Sequence, residues 1–229
     1  MNQENASPDA DNLLDPFEVR VLAVLAEKEA FTPDTYPLSL NALVNGCNQL
    51  SSRDPVMSIS DATVQDVLDR LIQRKLVAEV SQAGARVAKY EHRMRIKWAL
   101  EQDKLSILIV LMLRGVQTAG EIRSRVGRMH EFASVAEVET GLQFLVDKYP
   151  PLVGRIARAP GTKESRYAHL LSGDEILERQ ELLAGSVSDA ASGLSRADRI
   201  EHLEQEVARL TDAVASLTQQ FENFKKQFE

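Results

Sequence analysis

Two stretches of this chain, 77 positions apart, spell one pattern, basic-x-x-basic-Tyr-x-His. They are Arg86-Val-Ala-Lys89-Tyr90-Glu-His92 and Lys163-Glu-Ser-Arg166-Tyr167-Ala-His169. A match this short is weak by itself. Each copy, however, closes a segment with the same order of predicted elements, so the chain reads as an internal duplication. In the first segment Asp15-Pro16 opens a helix whose apolar stripe is Phe17, Val21, Val24 and Leu25. A second helix puts Leu40, Leu43, Val44, Cys47 and Leu50 on one face, and the polar residues 49–55 form a turn. Ser58 or Ser60 caps a third helix with Val64, Val67, Leu68, Leu71 and Ile72 inward. Residues 76–80 and 87–90, around Gly84, read as a hairpin.

The second segment repeats this order. Residues 105–113 form an apolar helix and 118–125 a short second one. A capping box at Ser134–Glu137 opens a third, with Val135, Val138, Leu142 and Leu145 inward. Residues 152–156 and 165–170 make the second hairpin. Three helices followed by a hairpin within about 75 residues is the winged-helix order. The expected fold is therefore mainly α with small β-hairpins: two tandem winged-helix domains at 14–98 and 99–171 behind a disordered acidic N-terminus at 1–13. A linker at 172–195 leads to a C-terminal coiled-coil helix at 196–229.

The tail carries the strongest periodicity. Ile200, Leu203, Val207, Leu210, Val214, Leu217, Phe221, Phe224 and Phe228 alternate steps of three and four. β-Branched residues at the first heptad position with leucine at the fourth favour a parallel two-stranded coil, hence a homodimer. Packing of this helix on its own domains is the intramolecular alternative.

Charge and composition narrow the function. The net charge of −7 over 229 residues resides at the ends: residues 1–14 carry −3 and 172–229 carry −6, whereas 15–98 are neutral and 99–171 carry +2. Overall acidity thus says little about the partners of the globular part. The sequence has no apolar run long enough for a membrane span and no signal-peptide pattern at its start. The lone Cys47 and scattered His92, His130, His169 and His202 supply neither a disulfide framework nor a metal-ligand spacing. No phosphate loop, dinucleotide fingerprint or nucleophile elbow is present. These features point to a cytoplasmic protein that is not an enzyme and uses no cofactor or metal.

Where such a fold would meet DNA, the charges are mixed. The first third helix exposes Asp61, Asp66 and Asp69, with Arg70, Arg74 and Lys75 only at its end; the second exposes Glu137 and Glu139, with Lys148 at its end. Carboxylates there face phosphate repulsion, which weighs against insertion into the major groove. Basic residues gather elsewhere. Arg114, Arg123, Arg125, Arg128 and His130 surround the short second helix of the second segment. Arg86, Lys89, Arg93, Arg95 and Lys97 follow the first hairpin, and Arg155, Arg158, Lys163 and Arg166 the second. One reading is a DNA-associated, regulatory protein that grips duplex phosphates through these residues. The alternative is a protein-interaction scaffold that uses the same arginines on an acidic partner. An ordinary solvated surface is the plain reading. Cys47 reads as core, Tyr90 and Tyr167 as hairpin packing with wet hydroxyls, and Trp98 as a wedge at the domain junction.

Several long strings carry a resemblance: Asn45-Gly-Cys-Asn-Gln-Leu-Ser-Ser-Arg-Asp-Pro-Val-Met57, Leu113-Arg-Gly-Val-Gln-Thr-Ala-Gly-Glu-Ile-Arg-Ser-Arg125, Arg128-Met-His-Glu-Phe132 and Pro160-Gly-Thr-Lys-Glu-Ser-Arg-Tyr-Ala-His169. With the string at 86–92, they resemble the YceH family over Leu14 to about Gly173, and the helical tail extends the likeness. The resemblance implies tandem winged-helix bacterial proteins and brings no catalytic residues. The scaffold reading has its own parallel in the tandem winged helices of chromosome segregation and condensation proteins. Two departures stand out: Leu50 occupies a position where the family pattern leads one to expect lysine, and the acidic stretch before Leu13 is extra.

Overall fold

A computed structural model describes residues 13–80, 87–156 and 164–173, together with Arg209 and Thr211. The first half begins with α1 (Pro16–Phe31). Its N-terminus is closed by a full capping box: Asp15 accepts the N–H groups of Phe17 and Glu18, and the Glu18 carboxylate accepts that of Asp15. Next come β1 (Leu38–Ser39), α2 (Leu40–Cys47) capped by Ser39, and α3 (Asp61–Gln73) capped by Ser60. Strands β2 (Val77–Val80) and β3 (Lys89–His92) and the short α4 (Met94–Trp98) complete it. The second half runs α5 (Gln102–Arg114), β4 (Gln117–Thr118), α6 (Ala119–Val126), α7 (Val135–Asp147), β5 (Val153–Ile156) and β6 (Arg166–His169). The described protein is thus mainly helical with two small antiparallel sheets.

Those sheets have the same topology, β1-β3-β2 and β4-β6-β5. Their registers also agree. Tyr90 lies opposite Leu38 and Tyr167 opposite Gln117, while His92 faces Val77 and His169 faces Val153. The repeated tyrosine and histidine of the sequence therefore occupy matching places in two matching sheets.

One hydrophobic core runs through both halves, with α1 packed on α5. Residues Glu18 to Glu27 of α1 are buried on every side, as are Leu105 to Leu113 of α5. A helix apolar all round belongs at the centre of a protein. α1 reaches that position although the expected stripe began at Phe17, which is 42% exposed. Two glycines allow the closest helix approaches. A Cβ at Gly46 of α2 would lie 2.6 Å from Val24, and one at Gly141 of α7 would lie 2.5 Å from Ile107. The half-buried Trp98 packs against this core at the end of the first half, where a junction wedge is expected. Residues 1–182 form one unit and 183–229 another; of the latter, Arg209 and Thr211 are described.

Several local expectations change. Leu50 is 84% exposed because α2 ends at Cys47, and Asn48 turns its amide to pair with both backbone groups of Ile59 at 2.8 Å. Val135 faces solvent rather than the core. At Ser134 only half of the capping box forms: its hydroxyl accepts from Glu137, whose carboxylate takes the N–H of Ala133 instead. The complete box lies at Thr118 and Glu121. The third strand of each sheet was not foreseen, because a two-residue strand shows no alternation. The heptad residues Ile200, Leu203, Val207, Leu210, Val214, Leu217, Phe221 and Phe224 lie outside the described residues.

Candidate functional site

The two longest signature strings meet at the C-terminal end of α5. Asp54 donates its backbone N–H to the Leu113 carbonyl at 2.8 Å, and Arg114 donates to the Ser52 hydroxyl at 2.5 Å. Gln117, fully buried, donates to the Val110 carbonyl at 3.1 Å and accepts from Arg125 at 2.6 Å. Residues 45–57 thus tie the first half to the last turn of the second half's opening helix.

Beneath this seam lie buried charges. Arg53 grips Glu27 bidentately at 2.6 and 3.1 Å and also donates to the carbonyls of Gly46 and Ser52 and to Gln49. Arg20, 1% exposed, donates to the carbonyls of Cys47 and Pro55; its Nε has no partner. Burial, then the nearby Arg53 charge, lowers the Arg20 pKa. Burial also pushes the Cys47 thiol up to about 12, in keeping with its expected core role. A buried pair that loses one member leaves a naked charge, a loss of about 3–5 kcal/mol.

A second network joins the halves at the last turn of α1. His92 Nε2 lies 3.2 Å from Glu29, which also receives Arg95 at 3.0 Å. Arg95 bonds Gln102 in turn, and Gln102 donates to the Met129 carbonyl at 2.9 Å. The His92 hydrogen bond, helped by Arg95 and working against partial burial, holds the Glu29 carboxyl at about 2. Burial raises the pKa of Tyr36, whose hydroxyl accepts the His92 N–H at 2.8 Å. His169, the repeat partner of His92, is different: its Nδ1 is buried without a partner, and desolvation holds its pKa at about 4.

The expected basic cluster of the second half is dispersed. Arg123 folds back onto the carbonyls of Phe132 and Ala133 at 3.2 and 3.0 Å. Arg128 lies over the Phe31 ring at 5.9 Å, and His130 meets the edge of Phe132 at 4.5 Å. Arg114 and Arg125 remain electrostatic neighbours. On the hairpins Arg166 and Arg155 are exposed, with Arg155 bonded to Ser165. Arg93 pairs with Glu91 at 2.7 Å, and Lys89 is half-buried. Arg86, Arg158 and Lys163 lie outside the described residues. At the end of α3, Arg70 pairs with Asp15 and Arg74 with Glu18, leaving Asp61, Asp66 and Asp69 as the exposed charges of its outer face. The Tyr90 hydroxyl, expected to be wet, bonds Gln65 at 3.3 Å.

The solvent side of α7 is acidic and apolar. Val135, Glu139, Phe144 and Asp147 are exposed, and Tyr149 just beyond is 93% exposed. Lys104 and Lys148 lie 5.4 and 5.6 Å from the Phe144 ring. Beside it, a cleft of about 120 Å³ separates α6 and α7 from the second hairpin, with Gly120, Val135, Glu139, Arg155 and Tyr167 among its walls.

Sequence reasoning missed Arg20, the Glu27–Arg53 pair and the Glu29–His92–Arg95 network. One signal was available: an arginine inside the apolar run Val19–Leu25 has to be buried and therefore paired.

A family model described as a protein of unknown function, DUF480, matches residues 14–162. This chain belongs to the DUF480 family. It is 61% identical to a UPF0502 protein of Herminiimonas arsenicoxydans over 99% of its own length and 95% of the relative's. A UPF0502 protein of Janthinobacterium sp. (strain Marseille) is 64% identical over 95% of this chain and 92% of its own. One from Azoarcus sp. (strain BH72) is 50% identical over the whole of both. The match agrees with the YceH-like signature strings, and the seam shows what two of those strings do: they join the halves. Among the described residues no group of three His, Cys, Asp or Glu is placed to hold a metal, and no helix is long and apolar enough to cross a membrane.

Proposed function

We propose that this DUF480 protein is a non-enzymatic protein-interaction scaffold built on two tandem winged helices, with the outer face of α7 as a contact surface. Helix–strand–helix–helix–hairpin in each half, with one sheet order, supports the winged-helix reading. The observation that carries the scaffold reading is the chemistry of α7. Its exposed Phe144, with Tyr149 just beyond the helix, offers aromatic area to a protein, while Glu139 and Asp147 would repel phosphates in a groove. The acidic outer face of α3 argues the same way.

A second reading rests on the hairpins. Arg155 and Arg166 are exposed on β5 and β6, cations available to duplex phosphates without base readout. In either case the heptads of residues 200–228 support a homodimer. Fluorescence anisotropy of a labelled mixed-sequence duplex, titrated in salt, separates the two. The scaffold reading predicts a Kd no tighter than about 10⁻⁴ M at physiological salt, the weak end of non-specific association. Sub-micromolar binding with a steep salt slope, lost in Arg155→Gln/Arg166→Gln, overturns it in favour of DNA. A photo-reactive side chain at position 144 should form discrete protein crosslinks in cells that one at 166 does not.

A further inference from the structure

We propose that Arg114, Arg125 and Ser52 form a binding site for a phosphate oxyanion, open to solvent at the seam where the two signature strings meet. Donors are available there in excess. Arg114 spends one N–H on Ser52 and has no carboxylate within ion-pair distance among the described residues. Arg125 spends one on Gln117, and its nearest carboxylate, Glu121 on its own helix, is 3.8 Å away. Arg53, by contrast, is consumed by Glu27, Gln49 and two carbonyls. The two guanidinium groups are electrostatic neighbours, with a single loosely held carboxylate on Arg125 and most of their N–H groups unspent.

The arms are held in place. Ser52 fixes Arg114, and the buried Gln117, anchored on the Val110 carbonyl, fixes Arg125. Pre-set donors lose little freedom on binding. The Ser52 hydroxyl accepts from Arg114, so its own proton is free to donate. Ser52 has a left-handed backbone, φ 61, unusual for a residue with a side chain and typical of functional positions. The negative end of α5 is muted: the Val110, Leu111 and Leu113 carbonyls are taken by Gln117, Gly115 and Asp54. There is also room, since a Cβ at Gly115 would find nothing within 4 Å. Burial, and then the charges of Arg125 and Arg53, lowers the Arg114 pKa, and a bound anion would relieve that repulsion.

Donors from three separate elements suit a tetrahedral phosphate, which offers oxygens in several directions, better than a planar carboxylate, which suits a single fork. The site lies apart from the α7 face, so failure of either proposal leaves the other standing.

The test is calorimetric titration of the full chain with inorganic phosphate, against chloride at matched ionic strength. Saturable phosphate binding is expected, weakened at least about tenfold in Arg114→Gln, the tenfold step that one lost charge-assisted hydrogen bond produces. Arg125→Gln should weaken it as well. Arg123→Gln, which removes an equal charge elsewhere on α6, should leave it unchanged. A short duplex that displaces phosphate assigns the oxyanion to a nucleic-acid backbone; one that does not assigns it to a free phosphate or phosphomonoester. Absence of saturable binding in the wild-type chain overturns the site, as does equal weakening by Arg123→Gln.

Discussion

The two halves match position for position in strand register, yet they stabilise the same places with different chemistry. His92 and His169 occupy one register position. The first joins Glu29 and Arg95 in a network that reaches the second half; the second is desolvated, with a lone buried Nδ1. The loops after the second helices differ likewise. In the first half the loop is fixed by buried Arg20 and Arg53; in the second it is fixed by Arg123, an exposed side chain on two carbonyls. The two halves therefore share a sheet order but differ at the seam, where the first holds a buried ion pair and the second supplies Arg114, Gln117 and Arg125 at and beyond the end of α5.

Substitutions should expose this asymmetry. Arg53→Met leaves the buried Glu27 carboxylate with Lys28 alone, 3.7 Å away, and should cost about 3 kcal/mol in urea unfolding. The corresponding change in the second half, Arg123→Met, should cost only about 1 kcal/mol, because water can reach the carbonyls it leaves. Equal losses would erase the contrast between the loops.

The histidines should separate by pH. His169 titrates at about 4 in the fold against an ordinary 6.5. The unfolded chain therefore takes up the proton first. Stability is full above about pH 6.5 and falls as pH drops toward 4, by on the order of 2–3 kcal/mol. His169→Phe should flatten that slope in unfolding free energies measured at several pH values. Glu29 acts lower: with its pKa held down at about 2, its contribution is present above 4.5 and is lost as pH falls toward 2. Glu29→Gln should lower stability above pH 4.5 and remove this acid-side loss. The smallest effect is expected at Leu50, exposed outside α2, where Leu50→Lys should change stability by less than about 0.5 kcal/mol.

Much of the fold was legible because it is written in periodicity and caps. Asp15-Pro16, Ser60 and Thr118 mark helix starts, and the Tyr-x-His strings mark the returning strands. The site was less legible, because charge in a sequence carries no direction. Arg123, Arg125 and Arg128 look like one patch in the sequence, yet one turns to a loop, one to Gln117 and one to Phe31. Phe17 and Val135 obey the helical period but sit at first turns, where the apolar face has not yet met a partner. Arg53 reads as a turn residue because its partner, Glu27, lies 26 positions away.

The seam claim has a direct test in native-state hydrogen exchange along a urea gradient, read on peptides from α1 and α7. Two repeats sharing one core should open together, with the same free energy and the same urea dependence for both helices. Exchange of α7 through a separate, cheaper opening, with α1 still protected, would show two independent domains and contradict the joining role assigned to the signature strings.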